Sequence, residues 1–301
     1  MKTKIFMMTA LLALLATGCG KDKFNGFRIV AENMQVANDG SKLVVNPNTM
    51  AAEWCAGEMI MVNGGNVYEI QGNTTDGYSI TGAEPVADVG GYYYAIYPGG
   101  DFDGNDVTIS GTNAEPVITL NSLTIEMLND GSHHVAFPMG AKAAASATTM
   151  EFKHLTAAFR LTLHATAAVP SLTQLRVYVY GNSSATVPAN VNDMNYIVQW
   201  ANTGLLPNLP IGPVGDIEDR DLKYGSEMIF NLKANGEDYM SFGAGDYKTF
   251  CIPVTLTQAK RITVVGYNGE AMVFAKTSDL SAHLTNIDRN KVYPVKTINI
   301  N

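Results

Sequence analysis

From residue 27 onward the chain repeats one pattern: short runs of β-branched and aromatic residues, many of them alternating with polar ones, separated by turn residues. The stretch Leu175-Arg176-Val177-Tyr178-Val179-Tyr180 shows the alternation most cleanly. Successive side chains of a strand point to opposite faces, so a period of two predicts strands with one face buried. On this basis strands are predicted over 27–30, 42–45, 58–62, 66–70, 78–80, 92–97, 107–109, 117–120, 159–164, 175–180, 250–256, 262–266, 271–275 and 292–300. Between them fall Asp39-Gly40, Asn63-Gly64, Asp76-Gly77, Asp130-Gly131, Asn235-Gly236 and Asn268-Gly269. These dipeptides accept the positive φ that tight hairpins require. Asn268-Gly269-Glu270, between two strand-like runs, is the clearest hairpin.

Helical periodicity is scarce. Residues 139–148 are rich in Ala, but Ser, Thr and Gly dilute them and no apolar face repeats at helical spacing. They read as a linker or a short helical turn. The expected fold is therefore all-β: two tandem antiparallel β-sandwich domains following a leader. A boundary near 145 gives an N-terminal domain over 27–145 and a C-terminal domain over 146–301. Each half is of the order of 100–150 residues, enough for its own core. The Asn-, Pro- and Gly-rich stretch 181–223 reads as a surface insertion in the second domain, with Trp200 packing back onto the sandwich.

The first residues follow a different rule. Lys2 and Lys4 precede an apolar run over 5–16 that ends in Ala16-Thr17-Gly18-Cys19. About 12 residues are too few to cross a bilayer core of about 30 Å as a helix, and the charge, length and small residues match a cleaved signal peptide. Small side chains directly before a cysteine suit a lipoprotein signal peptidase, with the Cys19 thiol carrying the lipid. Residues 1–18 are read as the signal peptide and 19–26 as a lipidated polar tether. More than one acyl chain on Cys19 gives a stable anchor, and the outer membrane is the expected location, with the body exposed at the surface.

Composition narrows the function. Of 301 residues, 46% are hydrophobic and 16% charged, and the net charge is −8. Removal of the leader takes two lysines and leaves the body more acidic still. Such a chain repels phosphate backbones, so nucleic acid is not an expected partner. Three cysteines are too few for a disulfide scaffold. With Cys19 lipidated, Cys55 and Cys251 read as small buried hydrophobes rather than a bridge.

Sequence patterns for bond-making chemistry are absent: no nucleophile elbow, phosphate loop, zinc-helix motif or dinucleotide fingerprint occurs. Neither catalysis nor a cofactor is expected. His133 and His134 are adjacent and would face opposite sides of a strand. His154 reads as a buried structural histidine, and no metal is assigned to it, to His164 or to His283. The loop over 101–106 has oxygen donors at its first, third and fifth positions, but Asp106 stands where a calcium loop needs Gly, and Thr112 where it needs Glu. The acidic run over 216–221 reads as a solvated loop. The sequons at Asn73 and Asn182 read as surface turns.

Several ordered segments carry a family signal: Trp54 with Gly57-Glu58, Val62-Asn63-Gly64, Tyr93-Tyr94-Ala95-Ile96-Tyr97-Pro98, residues 152–161, Phe250-Cys251-Ile252-Pro253-Val254 and Lys291-Val292-Tyr293-Pro294-Val295. Together they resemble the fimbrillin-like lipoproteins of Bacteroidales-type bacteria, the Mfa-like and type V pilin group. The resemblance implies a non-enzymatic pilus component acting in fimbria assembly and cell adhesion. It implies other pilin subunits as partners through donor-strand addition, together with host or bacterial surface ligands. In that scheme a trypsin-like protease removes the tether and the first strand. Here the first strand would be 27–36 and the donor 292–301. Stalk subunits carry an Arg just after the first strand, whereas here Arg28 begins it and the basic residue after it is Lys42. Those two are the processing candidates, and their placement favours a tip, anchor or accessory subunit over a stalk. The alternative is a surface glycan-binding lipoprotein, with Trp200, Tyr92 and Tyr224 as stacking residues.

Overall fold

A computed structural model of the chain describes residues 24–32, 34–36, 42–43, 54, 56–73, 75–82, 86–98, 107–120, 123–126, 137–181, 186–191, 194–200, 224–234, 236–255, 258–280 and 287–301. Within them the regular structure is all strand. Seven strands close on themselves. These are β1 (Phe24–Ala31), β4 (Met59–Val62), β5 (Asn66–Asn73), β6 (Gly77–Gly82), β7 (Tyr92–Tyr97), β11 (Met139–Ala144) and β12 (Thr149–His154). They run in the order β1-β12-β11-β7-β4-β5-β6 around a barrel. Alternation fills its interior: Tyr68 and Ile70 from β5, Met150 and Phe152 from β12, and Phe27 and Ile29 from β1 are all buried. Trp54 sits among them, edge-on to Tyr97 at 5.1 Å and to Phe152 at 5.2 Å. Asn63, Gly64 and Gly65 make a three-residue β4–β5 loop, between Val62 and Asn66 of the ladder, in which Asn63 and Gly64 take the positive φ of 49° and 73° that a tight hairpin loop uses.

The linker expected over 139–148 is instead strand β11, central in the barrel between β7 and β12. Met139, Ala141 and Ala143 alternate into the core. Alanine and glycine have low strand propensity, but here small size is what the site requires. A Cβ on Gly140 would lie 2.3 Å from Cζ of Tyr196, so only glycine lets that fully buried ring approach.

The remaining strands form open sheets. β2 (Met34–Val36), β3 (Lys42–Leu43), β13 (Ala157–His164), β20 (Tyr247–Val254) and β23 (Lys291–Pro294) lie in one sheet, in the order β20-β13-β23-β2-β3, with β24 (Ile298–Asn299) also on β13. A second sheet is β10 (Leu123–Glu126), β18 (Tyr224–Asn231), β15 (Gln174–Gly181), β21 (Arg261–Asn268) and β22 (Ala271–Asp279), in that order. Phe230 of β18 meets Phe250 of β20 edge-on at 5.3 Å, so the two sheets share a sandwich core. A third sheet joins β16 (Thr186–Val191), β17 (Met194–Trp200), β9 (Pro116–Leu120) and β8 (Val107–Gly111), and β14 (Val169–Leu172) pairs β19 (Met240–Phe242).

The hairpins are antiparallel as expected, including β21–β22 across Asn268-Gly269. The sheets are nonetheless mixed. β1–β12, β2–β23, β9–β17, β10–β18, β13–β23 and β13–β24 run parallel. Each joins segments far apart in sequence, since a parallel pair needs a long crossover. Residue 145 falls in the turn between β11 and β12, both in the barrel. Within the stretch 181–223, β16 and β17 pair antiparallel, from Thr186↔Gln199 to Val191↔Met194, with Tyr196 and Val198 fully buried.

Candidate strand-exchange site

The first strand occupies a slot with two edges. β1 pairs antiparallel with β6, through Arg28↔Ser79 and Ile29↔Tyr78, and parallel with β12, from Arg28↔Thr149 to Ala31↔Phe152. A bulge between Asn25 and Arg28 interrupts the β6 ladder. Phe27 and Ile29 point into the barrel, Phe27 edge-on to Tyr93 at 5.1 Å, while Arg28 and Val30 face out. Lifting β1 out would leave β6 and β12 as facing unpaired edges over an apolar floor, which is the geometry that accepts an extended strand.

The far end of the slot is latched. Glu32 N–H donates to the Phe152 carbonyl at 2.8 Å. The Glu32 Oε2 accepts from Arg289 Nη1 at 3.0 Å and from the His154 backbone N–H at 3.2 Å. Arg289 also donates to the His154 carbonyl at 3.2 Å. One carboxylate thus ties the end of β1 both to β12 and to the segment entering β23. Directly beyond, β2 pairs β23 through Gln35↔Lys291 and Val36↔Val292.

His154 is buried, edge-on to Phe137 at 5.9 Å, and among the described residues neither ring nitrogen has a hydrogen-bond partner. Desolvation by burial lowers its pKa to about 4, with the charge of Arg289 acting in the same direction against the Glu32 hydrogen bond. It is a neutral core histidine, as expected. Cys251 is also buried, and desolvation pushes its thiol up to about 12, which makes it a small hydrophobe rather than a nucleophile. Glu32 and Arg289 carried no sequence signal: they are 257 positions apart and belong to no motif.

The two processing candidates sit differently. Arg28 is mid-ladder, its N–H bonded to the Thr148 carbonyl at 3.0 Å and its guanidinium lying over Gly77. Lys42 begins β3, the edge strand of its sheet, paired to Gln35. Cys19 lies outside the described residues, as do Cys55, the 101–106 loop, His133, His134, His283 and the 216–221 run. Of the stacking candidates, Tyr92 is exposed at the start of β7. Trp200 ends β17 opposite Leu120, and Tyr224 begins β18 opposite Gly181. The structure describes only the backbone of these last two, and the three residues belong to three different sheets. Among the described residues no metal-ligating side chains cluster in threes, and no helix is long and apolar enough to cross a membrane.

No family model matches the chain, and no curated protein matches its sequence. Its structural neighbours are Bacteroides chains. One, described as a "putative cell adhesion protein" from Bacteroides ovatus, is 14% identical with a TM-score of 0.40, and 91% of each chain is covered. A second of the same description, from Bacteroides uniformis, is 13% identical with a TM-score of 0.35, over 82% of this chain and 88% of the other. A fimbrial protein from Bacteroides ovatus is 11% identical with a TM-score of 0.32, over 91% of this chain and 50% of that one.

Proposed function

We propose that this chain is a surface-exposed subunit of a fimbria or related adhesive structure, anchored in the outer membrane through lipid on Cys19 and joined to other subunits by strand addition. The observation that carries the reading is the slot of β1: an N-terminal strand, flanked on both sides, whose departure would leave a two-edged apolar groove. No bond-making chemistry is assigned to it.

The same slot supports a reading of the position in the assembly. A cut at Arg28 requires local opening of a strand paired on both sides, because a protease needs several residues extended and unpaired. Lys42, on β3, is paired on one side among the described residues, so a cut there has one ladder to open where a cut at Arg28 has two. A chain that is not cut keeps its own β1 and accepts no donor, which suits a terminal subunit: tip, anchor or accessory.

Mass spectrometry of the mature N-terminus from native cells tests this. An acylated Cys19 is expected for a terminal subunit, and a free N-terminus near Leu43 would make it a polymerising one. Electron microscopy and cross-linking on the same cells test the broader reading. A chain recovered only as an unlipidated monomer, with no filament or pilin attached, would overturn it.

A further inference from the structure

The outer face of β7 carries a feature that strand exchange does not use. Tyr93 turns into the barrel, so Tyr92 and Tyr94 lie on its outer face, Tyr92 exposed and Tyr94 half-buried against the neighbouring core, their ring centroids 6.4 Å apart. Lys142 lies directly across the ladder from Tyr94, and its Nζ sits 4.3 Å from the Tyr92 ring centroid and 5.8 Å from that of Tyr94. Among the described residues these two rings are the only partners of this ammonium. The Asp88 carboxylate, in the loop before β7, accepts from Gly91 N–H at 2.8 Å.

Tyr94 also forms one wall of a cavity of ≈ 120 Å³ between β4, β7 and the β8–β9 hairpin. Its floor is apolar, from Met61, Ile96 and Ile109, and its rim is polar, from Ser110, Thr112 and Asn113. The rim is shaped by the backbone. Asn63 Oδ1 accepts from Tyr94 N–H at 2.9 Å and fixes the start of the wall. A Cβ on Gly64 would lie 2.9 Å from Asn113 Oδ1, so glycine leaves room for that amide at the mouth.

The geometry points to a binding site for an anionic sugar. Aromatic faces take the C–H side of a sugar ring, and hydroxyl and amide groups at the rim pair with its hydroxyls. An ammonium that, among the described residues, contacts rings and no carboxylate, on a chain of net charge −8, selects a carboxylate or sulfate on that ring. The cavity holds a substituent arm rather than a whole residue. This site does not depend on strand exchange or on a position in a fibre.

The test is direct binding of the purified chain to one oligosaccharide prepared with a neutral, a carboxylated or a sulfated terminal sugar. Binding of at least one anionic form, tenfold or more tighter than the neutral form, is expected, and the better of the two names the group. Lys142→Gln should remove that preference. Lys248→Gln, which deletes the same charge and another cation–ring contact, over Phe242, should leave it. Tyr92→Ala should weaken all binding at least tenfold and serves as the second variant should Lys142→Gln fail to fold. No binding to any form, equal binding of neutral and anionic forms, or a preference that survives Lys142→Gln would overturn the proposal.

Discussion

The first strand and the last bury similar side chains: Phe27 and Ile29 from β1, and Ile298 and Ile300 at the C-terminus. They differ in their edges. β1 is hydrogen-bonded on both sides, so a closed sheet depends on it. β24 is ladder-paired to β13 alone among the described residues, and it is pinned at its end by side-chain bonds instead. Asn301 accepts from the Thr166 N–H at 2.7 Å and hydroxyl at 3.0 Å, and donates to the Ala167 carbonyl. The terminal segment 292–301, the donor expected from the sequence, lies folded on its own chain. The difference teaches which end can be exchanged with most consequence: removing β1 opens a groove, and removing β24 only bares an edge.

Deletion breaks the comparison most directly. Loss of residues up to 32 removes two buried apolar side chains and both ladders, a destabilisation of about 5 kcal/mol or more. A chain ending at Thr297 loses two apolar side chains but a single short ladder, for about 3 kcal/mol. Urea denaturation of both truncations against the full chain should give that order, and a peptide of residues 24–32 should restore only the first. Equal losses, or no rescue by peptide, would remove the special status of the β1 slot.

The histidine ring buried beside the latch should make the fold acid-sensitive. His154 has its proton affinity lowered in the folded state, to about 4 from 6.5, so the unfolded chain binds the proton more readily. The stability it permits is complete above about pH 6.5 and lost as pH falls toward about 4. The shift corresponds to about 3 kcal/mol. His154→Phe should flatten that part of the stability–pH profile, and an unchanged slope would show that other groups set it.

The smallest effect is expected at the carboxylate. Arg289 and Glu32 are partly exposed, so the pair itself contributes about 1 kcal/mol or less. Glu32→Gln should shift the urea midpoint slightly, yet speed hydrogen exchange in β1 more than in β24. Equal change in both strands would mean that the carboxylate does not latch the slot.

Much of this architecture was legible because aromatic and β-branched runs report burial directly. β5, β7, β15 and β21 all contain predicted runs, and Asn63-Gly64 and Asn268-Gly269 mark their hairpins. β11 was not legible, since Ala and Gly say nothing of strand until Tyr196 is seen to need the space. The parallel pairs were hidden for a different reason: register between segments a hundred residues apart leaves no local trace. Neither Glu32 nor Arg289 could be singled out, because their meeting is a product of topology. Tyr92 was legible as a candidate, but Lys142 was not, since only the β7–β11 register sets it over the ring.

The pairing of β1 also has a mechanical meaning. If a pull were applied to residue 24 along the axis of β1, it would act lengthwise against the ladders to both β6 and β12. Such a pull must slide the strand lengthwise and strain many backbone bonds at once, instead of peeling them one after another. The strand whose removal would open the molecule would, under such a pull, also resist it through two ladders.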